Sequence, residues 1–120
     1  MIPQYIPLTP ITEGDAFPGI PAIQIRTGPE GGPYVAPEKD LTLARLIFGP
    51  ADGKGAAVVL SSAVSGEINI TSAANWEITI PRQVIPGLTA GRWNVQLKLT
   101  DADGMPETYI ETQQLVRPTV

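Results

Sequence analysis

From Arg92 to Thr100 the chain reads RWNVQLKLT, a strict alternation of polar and apolar side chains, and this period constrains the fold more than any other feature. Trp93, Val95, Leu97 and Leu99 share one side, while Arg92, Asn94, Gln96, Lys98 and Thr100 share the other. Successive side chains of an extended strand point to opposite faces, whereas a helix needs its apolar positions three and four apart. The stretch therefore predicts a half-buried strand with Trp93, Val95 and Leu97 in the core. Runs of the same period occur at Ala22 to Arg26, with Ile23 and Ile25 inward, and at Leu41 to Phe48 and Ala56 to Ser61. Others are Glu67 to Thr71, with Ile68 and Ile70 inward, Trp76 to Ile80, with Trp76, Ile78 and Ile80 inward, and Tyr109 to Val116.

About seven short strands, set off by glycine, proline and aspartate turns and without a sustained helical period, fit a two-layer antiparallel β-sandwich. Only Arg82 to Leu88 has room for a single helical turn, and Pro86 and Gly87 confine it to a crossover. Of the 13 prolines, Pro3, Pro7, Pro10, Pro18, Pro21, Pro29, Pro33 and Pro37 fall in the first third, where they exclude persistent helix. Residues 1–12 read as an extended, proline-rich arm and residues 13–120 as the sandwich. The apolar side chains of the arm, Ile2, Tyr5, Ile6 and Leu8, need cover from this domain or a neighbour, which makes them the candidate interaction residues.

The 120 residues match one domain with one core. No apolar run approaches the ~20 residues that cross a bilayer, so no membrane partner is expected. The chain has no histidine and no cysteine, which removes the usual zinc ligands, the thiol nucleophile and the imidazole base together. No catalytic, cofactor-binding or metal residue is assigned. A net charge of −4 opposes binding that depends on neutralising phosphates, so nucleic acid is not an expected partner. The opening MIPQYIPLTP has neither the basic nor the apolar region of a secretory signal, and synthesis and folding in a cytoplasm are expected.

Three segments imitate chemical motifs. Asp101, Asp103 and Glu107 imitate a calcium loop, but such a loop wants its glycine sixth and its glutamate twelfth, whereas Gly104 is fourth from Asp101 and Glu107 seventh. The plainer reading is a hairpin turned by Asp103 and Gly104 in a type I′ turn, with positive φ at both residues. GPADGKG, residues 49–55, lacks the Gly-Lys-Ser/Thr ending of a phosphate loop and reads as a second Asp-Gly turn. Ser61, Ser62, Ser65 and Ser72 have no histidine to activate them.

Trp76 and Trp93, the only tryptophans, read as core anchors because large rings dominate burial in small sandwiches. The segment LTAGRWNV, Leu88 to Val95, has the Leu-x-x-Gly-x-aromatic form that leads into the corner strand of many sandwiches. With tryptophan in the usual tyrosine position, the corner hydrogen bond has to come from the indole N–H.

The order EGDAFPGIPAIQI, DLTLARLIF, SGEINI, LTAGRWNVQLKLTDADG and QQLVRPTV resembles a recurring pattern of tailed-phage and prophage proteins, over residues 13–120. It is similar to the immunoglobulin-like domain at the N-terminus of phage baseplate upper proteins. Trp93 in place of tyrosine, Gln96-Leu97 in place of Asp-Leu, and the APEKD segment before Leu41 depart from that pattern. The resemblance implies an immunoglobulin-like sandwich in a non-catalytic structural protein of the virion tail or baseplate, made in the host bacterial cytoplasm. Its implied partners are other virion proteins or further copies of itself, reached through the arm or the sheet edges, with no cofactor. The alternative is a carbohydrate- or cell-surface-binding sandwich, which needs exposed aromatics on one loop cluster; Tyr5, Tyr34 and Tyr109 are those available.

Overall fold

The structure, a computed structural model, describes residues 7–28 and 31–119. These residues form an all-β sandwich without helix. Its strands are β1 (Ile11–Thr12), β2 (Ile20–Gln24), β3 (Leu41–Pro50), β4 (Val58–Ser61), β5 (Asn69–Ser72), β6 (Glu77–Ile80), β7 (Gly91–Asp101) and β8 (Pro106–Arg117). One sheet has the order β1-β8-β7-β3-β4 and the other the order β2-β6-β5. All pairings are antiparallel except that of β1 with β8, where Ile11 lies opposite Val116.

The alternation from Arg92 to Thr100 becomes the central strand β7, whose Trp93, Val95, Leu97 and Leu99 are all buried. Leu97 pairs with Leu46 on one side and Ile110 on the other, so the apolar faces of three long strands coincide. The second sheet closes the core with Ile78 and Ile80, joined by Ile25 just past the end of β2, while Phe17 meets Phe48 edge-on at 5.9 Å between ring centres. At the corner before β7, the Trp93 indole N–H donates to the Thr89 carbonyl at 2.9 Å, the bond that the tryptophan-for-tyrosine exchange predicts.

Several local expectations need correction. Arg82 to Leu88 forms no helical turn; Gln83 instead exchanges two backbone hydrogen bonds with Phe17, and Pro86-Gly87 makes a tight turn closed by Leu88 N–H on Ile85. Trp76 does not begin a strand. It is the last residue of the β5–β6 loop, held at a φ of +50°, and β6 starts one residue later. The Asp103-Gly104 turn is not type I′, because only Gly104 has positive φ, at +79°. The Asp101 carboxylate accepts the N–H groups of Asp103 (2.9 Å) and Met105 (3.2 Å), and Gly104 N–H closes on the Asp101 carbonyl at 3.0 Å. That aspartate-stabilised turn needs one left-handed residue rather than two, and glycine supplies it.

The N-terminal segment enters the larger sheet before residue 13. Ile11–Thr12 is hydrogen-bonded into it as β1, and Leu8 and Ile11 pack half-buried on the domain's own core. Ile2, Tyr5 and Ile6 lie outside the described residues.

Candidate functional site

The two edges of the larger sheet are finished differently. At the β4 edge, the Glu67 carboxylate accepts the Ser61 N–H at 3.0 Å, occupying a donor that an added strand would need. At the other edge the segment Pro7–Thr12 lies beside β8. The fully buried Gln114 side chain, projecting inward from β8, donates to the Thr9 carbonyl at 3.0 Å and the Leu115 carbonyl at 2.9 Å. Its Oε1 has no partner among the described residues, beside a small cavity of about 170 Å³ lined by Leu8, Thr9, Phe17 and Ile20. Leu8 is therefore the candidate interaction residue of the arm that the structure describes, and it faces this seam.

At one end of the sandwich, three connections meet: Ile25 to Asp40, the β5–β6 loop and the β7–β8 hairpin. Leu41 N–H donates to Ala73 at 3.1 Å and ties the first two together. The carboxylates of the hairpin are engaged locally, Asp101 with its own turn and Asp103 with Lys39 at 2.7 Å. Among the described residues, no group of three or more Asp, Glu, His or Cys is placed to hold a metal ion. No helix among them is long and apolar enough to cross a membrane.

This end carries a cleft of about 360 Å³ lined by Arg26, Thr27, Gly28, Tyr34, Glu107 and Tyr109. Its floor depends on a β-bulge. Leu97 pairs with Ile110 but Lys98 pairs with Thr108, so Tyr109 is the extra residue, and Tyr109 and Ile110 both turn inward. The Tyr109 ring packs edge-on against Trp76, centres 5.7 Å apart, and its hydroxyl donates to the Glu107 carboxylate at 3.2 Å. Burial first, then the neighbouring Glu107 charge, pushes the Tyr109 hydroxyl up to about 12, so it is a neutral donor at physiological pH.

One wall is the Arg26 guanidinium, whose Nη1 is fixed by the carbonyls of Ile25 at 2.8 Å and Asn75. The lining continues into a ribbon in which Thr27 and Val35 exchange hydrogen bonds of 2.7 and 2.9 Å. A Cβ on Gly28 would stand 2.2 Å from the Pro33 carbonyl oxygen, so only glycine permits this closure. The ribbon leaves Tyr34, which follows a cis Gly32-Pro33 peptide, 59% exposed.

Of the core residues read from the sequence, Trp93, Val95 and Leu97 support the sheet away from this cleft, and Trp76 backs its floor. Asp103 and Gly104 shape the neighbouring hairpin. Arg26 figured only as the end of a strand run and Glu107 only as the last acid of the calcium-loop imitation, so neither carried a signal for this cleft. Tyr109 did carry one: the apolar pair Tyr109-Ile110 interrupts the alternation of β8, which is the mark of a bulge. No family model, no curated protein and no solved structure matches this chain.

Proposed function

We propose that this chain is a non-catalytic, immunoglobulin-like structural domain that assembles with itself or with neighbouring proteins of a phage or prophage virion, in its tail or baseplate. The strand order supports the immunoglobulin-like reading. A three-stranded sheet β2-β6-β5 facing β8-β7-β3-β4 has the connectivity of that sandwich, and the Trp93 indole takes the place of its corner tyrosine hydroxyl. The placement in a virion rests on the sequence resemblance, and with it synthesis in a bacterial host.

The observation that carries the assembly reading is the treatment of the sheet edges. One is capped by Glu67, whereas the other receives the N-terminal segment, so the apolar arm residues Ile2, Tyr5 and Ile6 precede a chain entry point at a sheet edge. Light scattering coupled to size exclusion tests this on the full chain and on a chain lacking residues 1–6, which leaves Leu8 and β1 in place. The full chain is expected to form a discrete oligomer and the shortened chain a folded monomer. Identical behaviour of the two removes the arm as the contact.

A second reading, a module that recognises a carbohydrate or another cell-surface ligand, is favoured by one observation. Tyr34, exposed as such a module requires, lines a cleft at one loop end, whereas Tyr109 is buried in β8 and supplies only its floor.

A further inference from the structure

We propose that the outer face of the larger sheet is a contact between two copies of this chain, packed face to face about a twofold axis; this rests on the assembly reading above and adds a second surface to the arm. The side chains of β3, β4, β7 and β8 that point away from the core form ladders across this face. One ladder places Arg45 beside Lys98, and the next sets Val59, Ile47, Gln96 and Glu111 in line. Two cations side by side on neighbouring strands destabilise a sheet left to itself. Neither has an ion pair among the described residues, and both are half-buried. The Arg45 Nε is buried and has no hydrogen-bond partner among those residues. Around the pair lie the half-buried Leu43 and Ile47 and the exposed Val59.

The matching acids are on the same side of the molecule. A twofold axis parallel to these two ladders and midway between them turns a second copy over and reverses its strands, so that β7 meets β7 about Leu97. Lys98 then comes over Gln96 of the second copy. The Gln96 amide donates to the Glu111 carboxylate at 3.3 Å and so draws that carboxylate towards β7. Facing sheets lie about 10 Å apart, a gap that a lysine and a glutamate span together. A depression of about 410 Å³, lined by Asn94, Gln96, Glu111 and Gln113, gives the incoming Lys98 side chain room. Arg45 comes over Ile47 of the second copy, its aliphatic stem on apolar surface. The same register carries Arg92, at the start of β7, to the acidic turn of Asp101 and Asp103 at the far end of the strand. The basic and acidic positions of the face therefore coincide when the face is inverted on itself, as a contact between identical copies requires. The long strands offer roughly 500 Å² of projected area per copy, at the low end of specific contacts, so the face adds to the arm rather than replacing it.

Sedimentation equilibrium of the full chain over roughly 10 µM to 1 mM, where contacts of this size associate, is the direct test. Lys98→Glu and Glu111→Lys are each expected to weaken self-association about tenfold or more, because each sets like charges opposite one another across the contact. An equimolar mixture of the two variants is expected to recover the association of the parent. In the mixed pair one of the two symmetric contacts is native and the other has its charges exchanged. Mixing does not cure a defect of folding, and near-ultraviolet circular dichroism of Trp76 and Trp93 checks that each variant is folded. Association that neither variant weakens, or that the mixture fails to recover, overturns the contact. If that association is nevertheless lost on removal of residues 1–6, the assembly reading stands on the arm alone. A parent that stays monomeric throughout overturns this contact and self-assembly through the arm together, leaving only assembly with neighbouring proteins.

Discussion

Trp93 and Trp76 solve the same problem in opposite ways. Both are nearly fully buried, and both donate the indole N–H to a backbone carbonyl, Trp93 to Thr89 at 2.9 Å and Trp76 to Lys39 at 2.6 Å. Trp93 does so from the regular backbone of β7, where burial costs nothing in conformation. Trp76 does so from a φ of +50°, where a side chain other than glycine costs roughly 1–2 kcal/mol. The strain persists because the loop end offers Trp76 compensation: the Lys39 carbonyl and the Tyr109 ring. The corner is thus built by the strand, and the loop end by contacts between loops.

The largest effects come from truncating either ring. Trp93→Ala is expected to lose about 3–5 kcal/mol in denaturant unfolding, as large-to-small core changes do, and Trp76→Ala should lose nearly as much. Glycine separates the two sites. At position 93 glycine should be worse than alanine by ~0.5–1 kcal/mol, the ordinary entropic penalty in a strand. At position 76 the order should reverse, because glycine alone releases the left-handed strain. The same order at both positions would mean that the Trp76 backbone carries no strain worth releasing.

A smaller effect is confined to the Trp76 end. Tyr109 ionises at about 12 in the folded chain because burial and Glu107 disfavour the phenolate, against about 10 when exposed. Between those values the unfolded chain gives up its proton first. Stability is therefore unaffected by this group below pH ~10 and falls as pH rises towards 12. Thermal unfolding across that range should show a steeper alkaline loss for the parent than for Tyr109→Phe. Parallel curves would remove Tyr109 as the cause, and Trp93, whose indole donates to the Thr89 backbone carbonyl, predicts no such difference at the corner.

The two tryptophans also mark what the sequence makes legible. The alternation around Trp93 is enforced by a two-residue period over a whole strand, and local order of that kind is visible in one dimension. So is the indole corner bond, since it spans four residues. The loop end is set by separations the eye cannot connect: Trp76 with Lys39, Arg26 with Asn75, Tyr34 beside Tyr109. The Asp-Gly dipeptide at 103–104 announced a turn but not its type, because the Asp101 side chain decides which residue needs positive φ. In β8, Thr112 and Gln114 turn inward while Leu115 stays 40% exposed, because the bulge at Tyr109 and the arm beside Gln114 outweigh side-chain polarity.

The smallest expected effect concerns Lys39, which meets this region twice. Its carbonyl accepts the Trp76 indole, while its ammonium pairs with Asp103 at 2.7 Å, both side chains being more than half exposed. The ion pair raises the Lys39 pKa, through the hydrogen bond first and the Asp103 charge second. Water and salt screen a pair this exposed, whereas the buried indole cannot replace its acceptor with solvent. Lys39→Ala removes the ammonium and keeps the carbonyl, so its unfolding midpoint should match that of the parent at low and at high salt. A clear loss at low salt that disappears at high salt would mean that the ion pair positions the 36–40 segment. The acceptor of Trp76 would then be held by charge rather than by the backbone, and the loop end would be more fragile than the corner for an electrostatic reason as well.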